Sequence, residues 1–345
     1  MRSDHPRMRS DPGPHSATRV LITGGTGFIG SRLALRCLVE GHLVRVLGQE
    51  NTPAEVENRR LVEEQGAEVV LGSVTDPEVV RGAVEDVATI FHLAAAQHEV
   101  DLPDEHFWAV NVRGTEDLLA AAAEAGVGRF VHGSTIGVYG EAEGTLDESS
   151  ICRPDNIYGR TKLAGEERAL SAKERMGVVV VRIPEVYGPG DRRLLKLFRS
   201  IDRGAFIIIG SGENLHHPIF VDDLVDGLLA AARSPEAPGR VFLLAGPDAV
   251  TTREMVEAVA SAVGKPPPRR RAPLAPFAAL AVALETALRP LGIKPPLHRR
   301  RLDFFRKSFR LSAAHAGERL GFRPAVGFAE GARRTAEWYR ASSLI

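Results

Sequence analysis

Short apolar, β-branched runs alternate along this chain with stretches whose apolar residues recur every three or four positions. Arg19–Thr23, Leu43–Leu47, Glu68–Leu71, Ala88–Leu93, Arg129–His132 and Val178–Arg182 read as short buried strands. Between them, Arg32–Glu40 and Glu116–Ala125 carry helical periodicity. Strands alternating with helices predict a parallel sheet covered on both faces, with about six strands, the doubly wound α/β class. The pattern changes beyond Gly188-Pro189-Gly190. Residues 191–215 turn basic and then glycine-rich, Phe220–Arg233 returns to helix, Val241–Leu244 to strand and Thr252–Val263 to helix. Lys265–Arg271, rich in proline and arginine, opens a C-terminal region unlike the first half, and no internal repeat is visible.

Composition narrows the classes. The chain has 345 residues, 44% of them hydrophobic, enough for one large α/β domain and a smaller one. Forty-four basic residues balance 44 acidic ones, so nothing in the global charge favours nucleic acid, and no such partner is expected. Cys37 and Cys152 are the only cysteines, which argues against a disulfide framework or metal knuckle and fits a reducing cytoplasm. The eleven histidines show no ligand spacing, so no metal is expected. Residues 1–17 are polar and proline-bearing; they read as a disordered extension rather than a secretory signal. No uncharged apolar run approaches the ~20 residues that span a bilayer. The longest, Ala272–Leu284, is interrupted by Pro273 and Pro276.

The first chemical signal is Thr23-Gly24-Gly25-Thr26-Gly27-Phe28-Ile29-Gly30, set between an apolar strand and a helical pattern. Glycines at 24, 27 and 30 permit a tight turn, close approach of backbone to a pyrophosphate, and close helix–strand packing. The helix beginning near Phe28 would aim its free N–H groups and positive dipole end at the phosphates. An acidic residue is expected about 20 positions on, to bind the adenosine ribose. Val46-Leu47-Gly48-Gln49 supplies none, and Arg45, Arg59 and Arg60 are nearby cations, so the chain leans toward NADP. The predicted organisation is an NAD(P)-binding Rossmann domain over 18–190 plus 216–249, and a smaller, discontinuous substrate lobe over 191–215 plus 250–340.

The second signal is Tyr158-Gly159-Arg160-Thr161-Lys162, which puts a phenol and an ammonium on one helical face. A free tyrosine titrates near 10, and a neighbouring cation favours the phenolate. Such a phenol can exchange a proton with an alcohol or ketone oxygen while hydride moves to or from nicotinamide. Val131-His132-Gly133-Ser134-Thr135 ends a strand, where α/β sheets place ligands, and Thr135 could donate to the substrate oxygen.

Together these motifs resemble the extended short-chain dehydrogenase/reductase superfamily, also called the NAD-dependent epimerase/dehydratase family, over nearly all of 18–340. Besides the glycine loop, the matching segments are Phe91-His92-Leu93-Ala94-Ala95, Asn111-Val112-Arg113-Gly114-Thr115, Ser134-Thr135 with Val138-Tyr139-Gly140, Pro154 with Tyr158 and Lys162, Arg182–Pro189, and Val221-Asp222-Asp223. The resemblance implies that Tyr158 is the acid/base, Lys162 tunes it and binds the nicotinamide ribose, Thr135 orients the substrate oxygen and Asn111 structures a water relay. It implies cofactor contacts at Gly24, Gly27, Phe28, Ile29, Gly30, Gln49, Ser73, Val74, Leu93, Ala94, Ala95, Tyr158, Lys162, Pro184 and Val186. Thr135, Glu185 and His216 would line the substrate. A homodimer through the helices of 107–126 and 156–175 is also implied.

Departures narrow the branch. Sugar-nucleotide 4,6-dehydratases carry Asp-Glu directly after the catalytic threonine; here Ile136-Gly137 stands, without acid–base capacity. Many nucleotide-sugar epimerases have asparagine where Glu185 stands and arginine near the place of His216. A carboxylate repels phosphate, and a neutral histidine is a poorer clamp than arginine's fork. The family's aspartate near the adenine is replaced by Ser73. Pro276–Leu288 places Phe277, Leu280, Leu284 and Leu288 on one helical face. With Pro295-Pro296 after it, and Leu320-Gly321-Phe322 before a last helix ending Trp338-Tyr339, it resembles the 3β-hydroxysteroid dehydrogenase and dihydroflavonol reductase branches, which act on apolar ring alcohols and ketones. Arginines 269–271 and 299–301 flank this helix; a packing helix between solvated basic loops is favoured over peripheral membrane contact. Asp222 and Asp223 read as a helix start, Cys152 as incidental, and Trp108 as core or interface. The leading expectation is therefore an NAD(P)-dependent oxidoreductase of secondary alcohols and ketones. The alternative is a UDP-sugar 4-epimerase with retained NAD, and a non-catalytic dinucleotide sensor comes third, since a sensor needs none of Thr135, Tyr158 and Lys162.

Overall fold

Seven parallel strands form the central sheet of this protein, whose computed structural model describes residues 18–97, 102–288 and 299–345. The extension expected over 1–17 and the Pro295-Pro296 pair lie outside the described residues. The strands are β1 (Arg19–Thr23), β2 (Leu43–Gly48), β3 (Glu68–Leu71), β4 (Thr89–His92), β5 (Arg129–Thr135), β6 (Gly177–Ile183) and β7 (Arg240–Leu243), in spatial order β7-β6-β5-β4-β1-β2-β3. This is the doubly wound order, extended at one edge by β7, so the expected six strands become seven when the run at 241–244 joins the sheet. The register aligns Thr23 with both Leu47 and His92, and Thr135 with Ile183, so the carboxyl ends of β1, β2, β4, β5 and β6 share one edge. The chain reverses its winding direction between β1 and β4, and ligands of such sheets bind at that crevice.

Alternation along the strands builds two cores. Val20, Ile22, Val179 and Val181 join the cluster on one face; Leu21, Val178 and Val180 join the cluster on the other. Both faces are buried, which is why these strands read as continuous apolar runs rather than alternating ones. The helices are α1 (Phe28–Val39), α2 (Pro53–Glu64), α3 (Pro77–Ala83), α4 (Asp104–Trp108), α5 (Gly114–Glu124), α6 (Ile157–Ser171), α7 (Leu195–Asp202), α8 (Val221–Arg233), α9 (Thr252–Val263), α10 (Leu274–Leu288), α11 (Arg299–Arg306), α12 (Ala314–Leu320) and α13 (Phe328–Ala341). A π-turn at Ala109–Arg113 joins α4 to α5, so the helix read at 116–125 begins much earlier. Asn156 caps α6 by accepting from Gly159 N at 2.9 Å, which puts Tyr158 in its first turn.

A third core gathers α7, α9 and α13 around Phe198, Val256, Val259 and Tyr339. Two-residue strand pairs tie this region to the sheet: Ile219–Phe220 with Val186–Tyr187, and Leu215–His216 with Val250–Thr251. Of the two readings of Trp108, 39% exposure corrects the core one and leaves the interface. Of the face expected for the 276–288 helix, Phe277, Leu284 and Leu288 are partly buried around the buried Ala281, and only Leu280, half exposed, turns away.

Candidate active site

The glycine loop leaves β1 and enters α1 with little room for side chains. Gly24 has φ +69°, and a Cβ there would sit 2.8 Å from Ala94 N. A Cβ on Gly30 would collide with the Gly24 carbonyl, which fixes the close crossing of loop and helix. At Gly27 the nearest neighbour of a Cβ is the Gly24 carbonyl at 3.1 Å, so its outer side is open. Gly27 is also the N-cap of α1, without a side-chain cap and with no acidic residue in the first turn. A helix start lacking both is fitted to accept a pyrophosphate from outside. Leu93, Ala94 and Ala95 lie alongside, partly exposed, at the carboxyl end of β4, and Phe28 and Ile29 are partly exposed at the start of α1.

Tyr158, Lys162 and Thr135 meet where α6 crosses the end of β5. Lys162 lies one turn after Tyr158 and is 1% exposed; its Nζ donates to Gly133 O at 2.6 Å. Burial pushes the Lys162 ammonium down to about 8, with Glu166 opposing the shift. Tyr158 is partly exposed, and its ring edge is 3.9 Å from where a Cβ on Gly137 would stand. Thr135 Oγ1 accepts from Gly137 N at 3.1 Å, which leaves its hydroxyl hydrogen to donate. Ile136 is buried and apolar, and Gly137 has no side chain.

A chain of polar contacts behind these residues escaped the sequence reading. Thr115 Oγ1 donates to the Asn111 carbonyl at 2.9 Å, so it accepts from His92 Nε2, also at 2.9 Å. His92 Nδ1 then accepts from Thr23 Oγ1 at 2.7 Å, and Thr23 Oγ1 accepts from Ala94 N at 3.2 Å. Burial, reinforced by Lys162, holds His92 neutral with its pKa pushed down to about 3. The Asn111 amide accepts from Ala96 N at 2.9 Å and donates to Ala96 O and to Thr161 Oγ1, both at 3.0 Å. Both N–H groups of that amide are engaged, and its oxygen accepts once. It clamps the segment after β4 onto α6. A second buried group, Ser134–Glu166–Arg182–Tyr139, locks α6 to β5 and β6, with Arg182 Nη2 2.9 Å from Glu166 Oε2. An arginine inside an apolar strand and a glutamate one turn after Lys162 were the available signals.

Toward the adenosine end the expected contacts divide. Gln49 is exposed and accepts from Asn51. Ser73 is partly exposed and bonds Thr75 Oγ1 at 2.8 Å, whereas the Val74 side chain is buried against Gly114. Pro184 is also buried, and Val186 joins the core, so only their main chains can face a ligand. Of the three cations considered for a 2′-phosphate, Arg60 is exposed on α2 and the other two are engaged. Arg45 is buried and donates to the carbonyls of Ala83 and Glu85 at 2.9 Å. Arg59 pairs with Glu50 and Glu63. Glu50 is the carboxylate that the reading of 46–49 stopped one residue short of.

The substrate candidates do come together. His216 Nδ1 lies 3.2 Å from Glu185 Oε2, and its Nε2 lies 2.9 Å from Thr252 Oγ1. Phe304 of α11 stacks on the imidazole with ring centroids 4.6 Å apart. Asn214 Nδ2 donates to Phe304 O at 2.8 Å, and Lys307 pairs with Asp155, just before α6. Glu185 keeps 45% of its side chain open while protein encloses the rest. Burial raises its carboxyl, but His216 and Arg193 outweigh that and hold it below the ordinary range. Asp222 and Asp223 serve structure. The first pairs with Arg32 at 2.6 Å; the second accepts from Ala325 N and Val326 N. Cys152 is partly buried, and burial raises its thiol pKa against the pull of Arg182, so it is no activated nucleophile.

A sequence profile of the NAD dependent epimerase/dehydratase family matches residues 20–245. The chain is 31% identical over 273 residues to a 3 beta-hydroxysteroid dehydrogenase/Delta 5-->4-isomerase of Mycobacterium tuberculosis, covering 73% of this chain and 71% of that one. It is 28% identical over 341 residues to a 2-alkyl-3-oxoalkanoate reductase of Stenotrophomonas maltophilia, covering 92% and 98%. Among solved structures, a dTDP-glucose 4,6-dehydratase of Streptomyces venezuelae with NAD bound aligns with a TM-score of 0.76 at 26% identity, covering 94% and 97%.

Proposed function

Because the chain belongs to the NAD-dependent epimerase/dehydratase family, whose members are extended short-chain dehydrogenase/reductase enzymes, we propose that it interconverts a secondary alcohol and a ketone on an apolar or mixed small molecule. The observation that carries this reading is the Glu185–His216 pair with Phe304 stacked on the imidazole, a cluster tied to the start of α6 by the Lys307–Asp155 pair. A carboxylate held in its charged form disfavours a diphosphate, and an aromatic roof suits a hydrocarbon surface. The reductase and the hydroxysteroid dehydrogenase among its relatives bear names of alcohol–ketone chemistry, in keeping with this.

A bound nicotinamide dinucleotide would supply or accept the hydride. The protein's part is the proton and the geometry. Tyr158 gives its proton to the ketone oxygen as hydride arrives, or takes one from the alcohol as hydride leaves. Lys162, anchored on the Gly133 carbonyl, sets a positive charge one turn from the phenol and favours the phenolate. Thr135 donates to the same substrate oxygen and fixes its approach to Tyr158. The clamp from Thr23 through His92 and Thr115 to Asn111 keeps the cofactor-lining segment in register with α6. Gly24, Gly27 and Gly30 would receive the pyrophosphate, and the main chain at Pro184 and Val186 would border the nicotinamide. With Arg45 and Arg59 engaged elsewhere, Arg60 the one exposed cation of the three, and NAD bound in a structural relative, we take NAD as the cofactor in place of the lean toward NADP read from residues 46–49. The substrate lobe comprises 191–215 and 250–340, and a homodimer forms through the helices of 107–126 and 156–175; a monomer in sedimentation at micromolar concentration overturns the latter.

Steady-state turnover with NADH and NADPH against panels of apolar ketones and UDP-sugars tests the reading. The expected result is reduction of an apolar ketone with NADH preferred. Conversion confined to UDP-sugars, without net consumption of cofactor, would replace it with the epimerase.

A further inference from the structure

Asn214 fixes where the hydrogens lie around His216. Its Nδ2 donates to Phe304 O at 2.8 Å and to Lys307 O at 3.1 Å, so both amide hydrogens are used and Oδ1 is left to accept. The 3.4 Å contact between that nitrogen and His216 Nε2 therefore carries no hydrogen. Thr252 Oγ1 donates its single hydrogen to Asn214 Oδ1 at 2.7 Å, so it accepts from His216 Nε2 at 2.9 Å. With Nε2 protonated, a neutral imidazole would turn the lone pair of Nδ1 toward Glu185 Oε2 at 3.2 Å. Two lone pairs repel at that distance, so a proton lies between them. Glu185 is held below the ordinary carboxyl range, which puts that proton on the imidazole. His216 thus donates one way to Thr252 and the other way to Glu185. The Phe304 ring, its centroid 4.6 Å from that of His216, suits a cation.

We infer that Glu185 is a fixed acceptor for a substrate hydroxyl other than the reacting one, held in place by His216, Thr252 and Asn214 as positioning residues. The inference deepens the alcohol–ketone reading and rests on it. His216 is 3% exposed, whereas 45% of the Glu185 side chain is open, so the cation is shut in and the carboxylate is what a ligand meets. A carboxylate only accepts, so the group it holds is a donor, either a neutral hydroxyl or an ammonium. The paired charge of His216, with Arg193 also acting on the carboxyl, leaves no net negative field to draw a cation, which selects the hydroxyl. Its place suits a second oxygen of one small molecule. Thr135 pairs with Ile183 across β5 and β6, and Glu185 follows two residues on, at most about 7 Å of chain. A ligand whose reacting oxygen meets Thr135 can therefore offer Glu185 a hydroxyl several bonds away.

Two measurements on the full chain test this. Imidazole nitrogen NMR, with His216 assigned by its loss in His216→Phe, should show hydrogen on both ring nitrogens in wild type and on Nε2 alone in Glu185→Leu. A bare Nδ1 in wild type overturns the inference. With NADH, kcat/KM is compared across matched ketones, cyclohexanone and its two-ring counterpart, each bearing hydrogen, hydroxyl or methoxyl at the ring carbon furthest from the carbonyl. A hydrogen bond to a charged acceptor should favour the hydroxyl member about ten- to a hundredfold, chiefly through KM. Glu185→Leu should bring that ratio to about one. Glu185→Gln, whose amide can donate to Nδ1 and still present an oxygen, should keep part of it. His216→Phe, which keeps a ring beside Phe304 but removes both donors, should lower the ratio by raising KM for the hydroxyl member. Ketone turnover without preference for the hydroxyl, or a preference that Glu185→Leu retains, overturns the inference and leaves the alcohol–ketone reading standing. Conversion of UDP-sugars alone, or of no ketone in the panel, overturns both.

Discussion

The cofactor end and the substrate end of the proposed site are built by opposite means. At the cofactor end the determinants are contiguous: one loop from Thr23 to Gly30, one strand end from Gly133 to Thr135, one helical turn from Tyr158 to Lys162. Backbone does most of the shaping, and glycines mark where a Cβ would strike something. At the substrate end four separated segments each contribute one or two side chains: Glu185, Asn214 with His216, Thr252, and Phe304. Side-chain contacts across long sequence gaps do the shaping there. A backbone-built site tolerates little variation in its loop and so announces itself in sequence. A site assembled from side chains on short elements can change partner by partner, as substrate specificity requires.

The sharpest way to break the contrast is at α6, which carries the proposed acid/base. Tyr158→Phe removes the transferable proton and keeps the ring, so turnover should fall by about 10² to 10⁴ while dinucleotide binding persists. Steady-state kinetics paired with cofactor titration reads both, and near wild-type turnover would remove Tyr158 from the mechanism. Next in size is the buried support beneath it. Arg182→Met leaves Glu166 charged, 3% exposed and without its guanidinium partner, which should cost about 3–5 kcal/mol in chemical denaturation. A cost below about 1 kcal/mol would mean that the pair does not brace α6 against the sheet.

Legibility followed the same division. The parallel, doubly wound sheet was readable because both faces of β1, β4, β5 and β6 are buried, so consecutive positions along them are apolar. The meeting of Tyr158, Lys162 and Thr135 was readable because each sits at a fixed offset on a regular element. What stayed hidden needed three dimensions. Asn111 matched a motif, but only the structure shows its amide bonded to Ala96 and Thr161. His92 sat in a quoted segment, yet its link from Thr23 to Thr115 crosses 69 residues one way and 23 the other. Val74 and Val186 occupy ligand-facing stretches, but alternation turns their side chains inward. Glu185 and His216 were both named, while the contact between them, and the aromatic ring above, had no signature in spacing.

The smallest expected effect is the most informative about the substrate end. Glu185 Oε2 lies 3.2 Å from His216 Nδ1, but the carboxylate is nearly half exposed, so solvent screening limits the pair to about 1 kcal/mol or less. Its carboxyl sits below the ordinary range, because His216 and Arg193 outweigh the burial that would raise it. A carboxyl depressed on folding stabilises the protein above its unfolded value and loses that contribution as pH falls through its folded one. Melting of Glu185→Asn should therefore lie slightly below wild type near neutrality, with the gap closing in acid. Ligand binding decides the larger question. If the substrate carries a diphosphate, removing the charge relieves a repulsion, and Glu185→Asn should bind UDP and UDP-glucose better than wild type. If the substrate is an uncharged alcohol or ketone, neither protein has a reason to hold those nucleotides, and calorimetry should find negligible heat with both. The second outcome is expected; saturable binding of UDP-glucose to the wild type would overturn the apolar-substrate reading and put the 4-epimerase in its place.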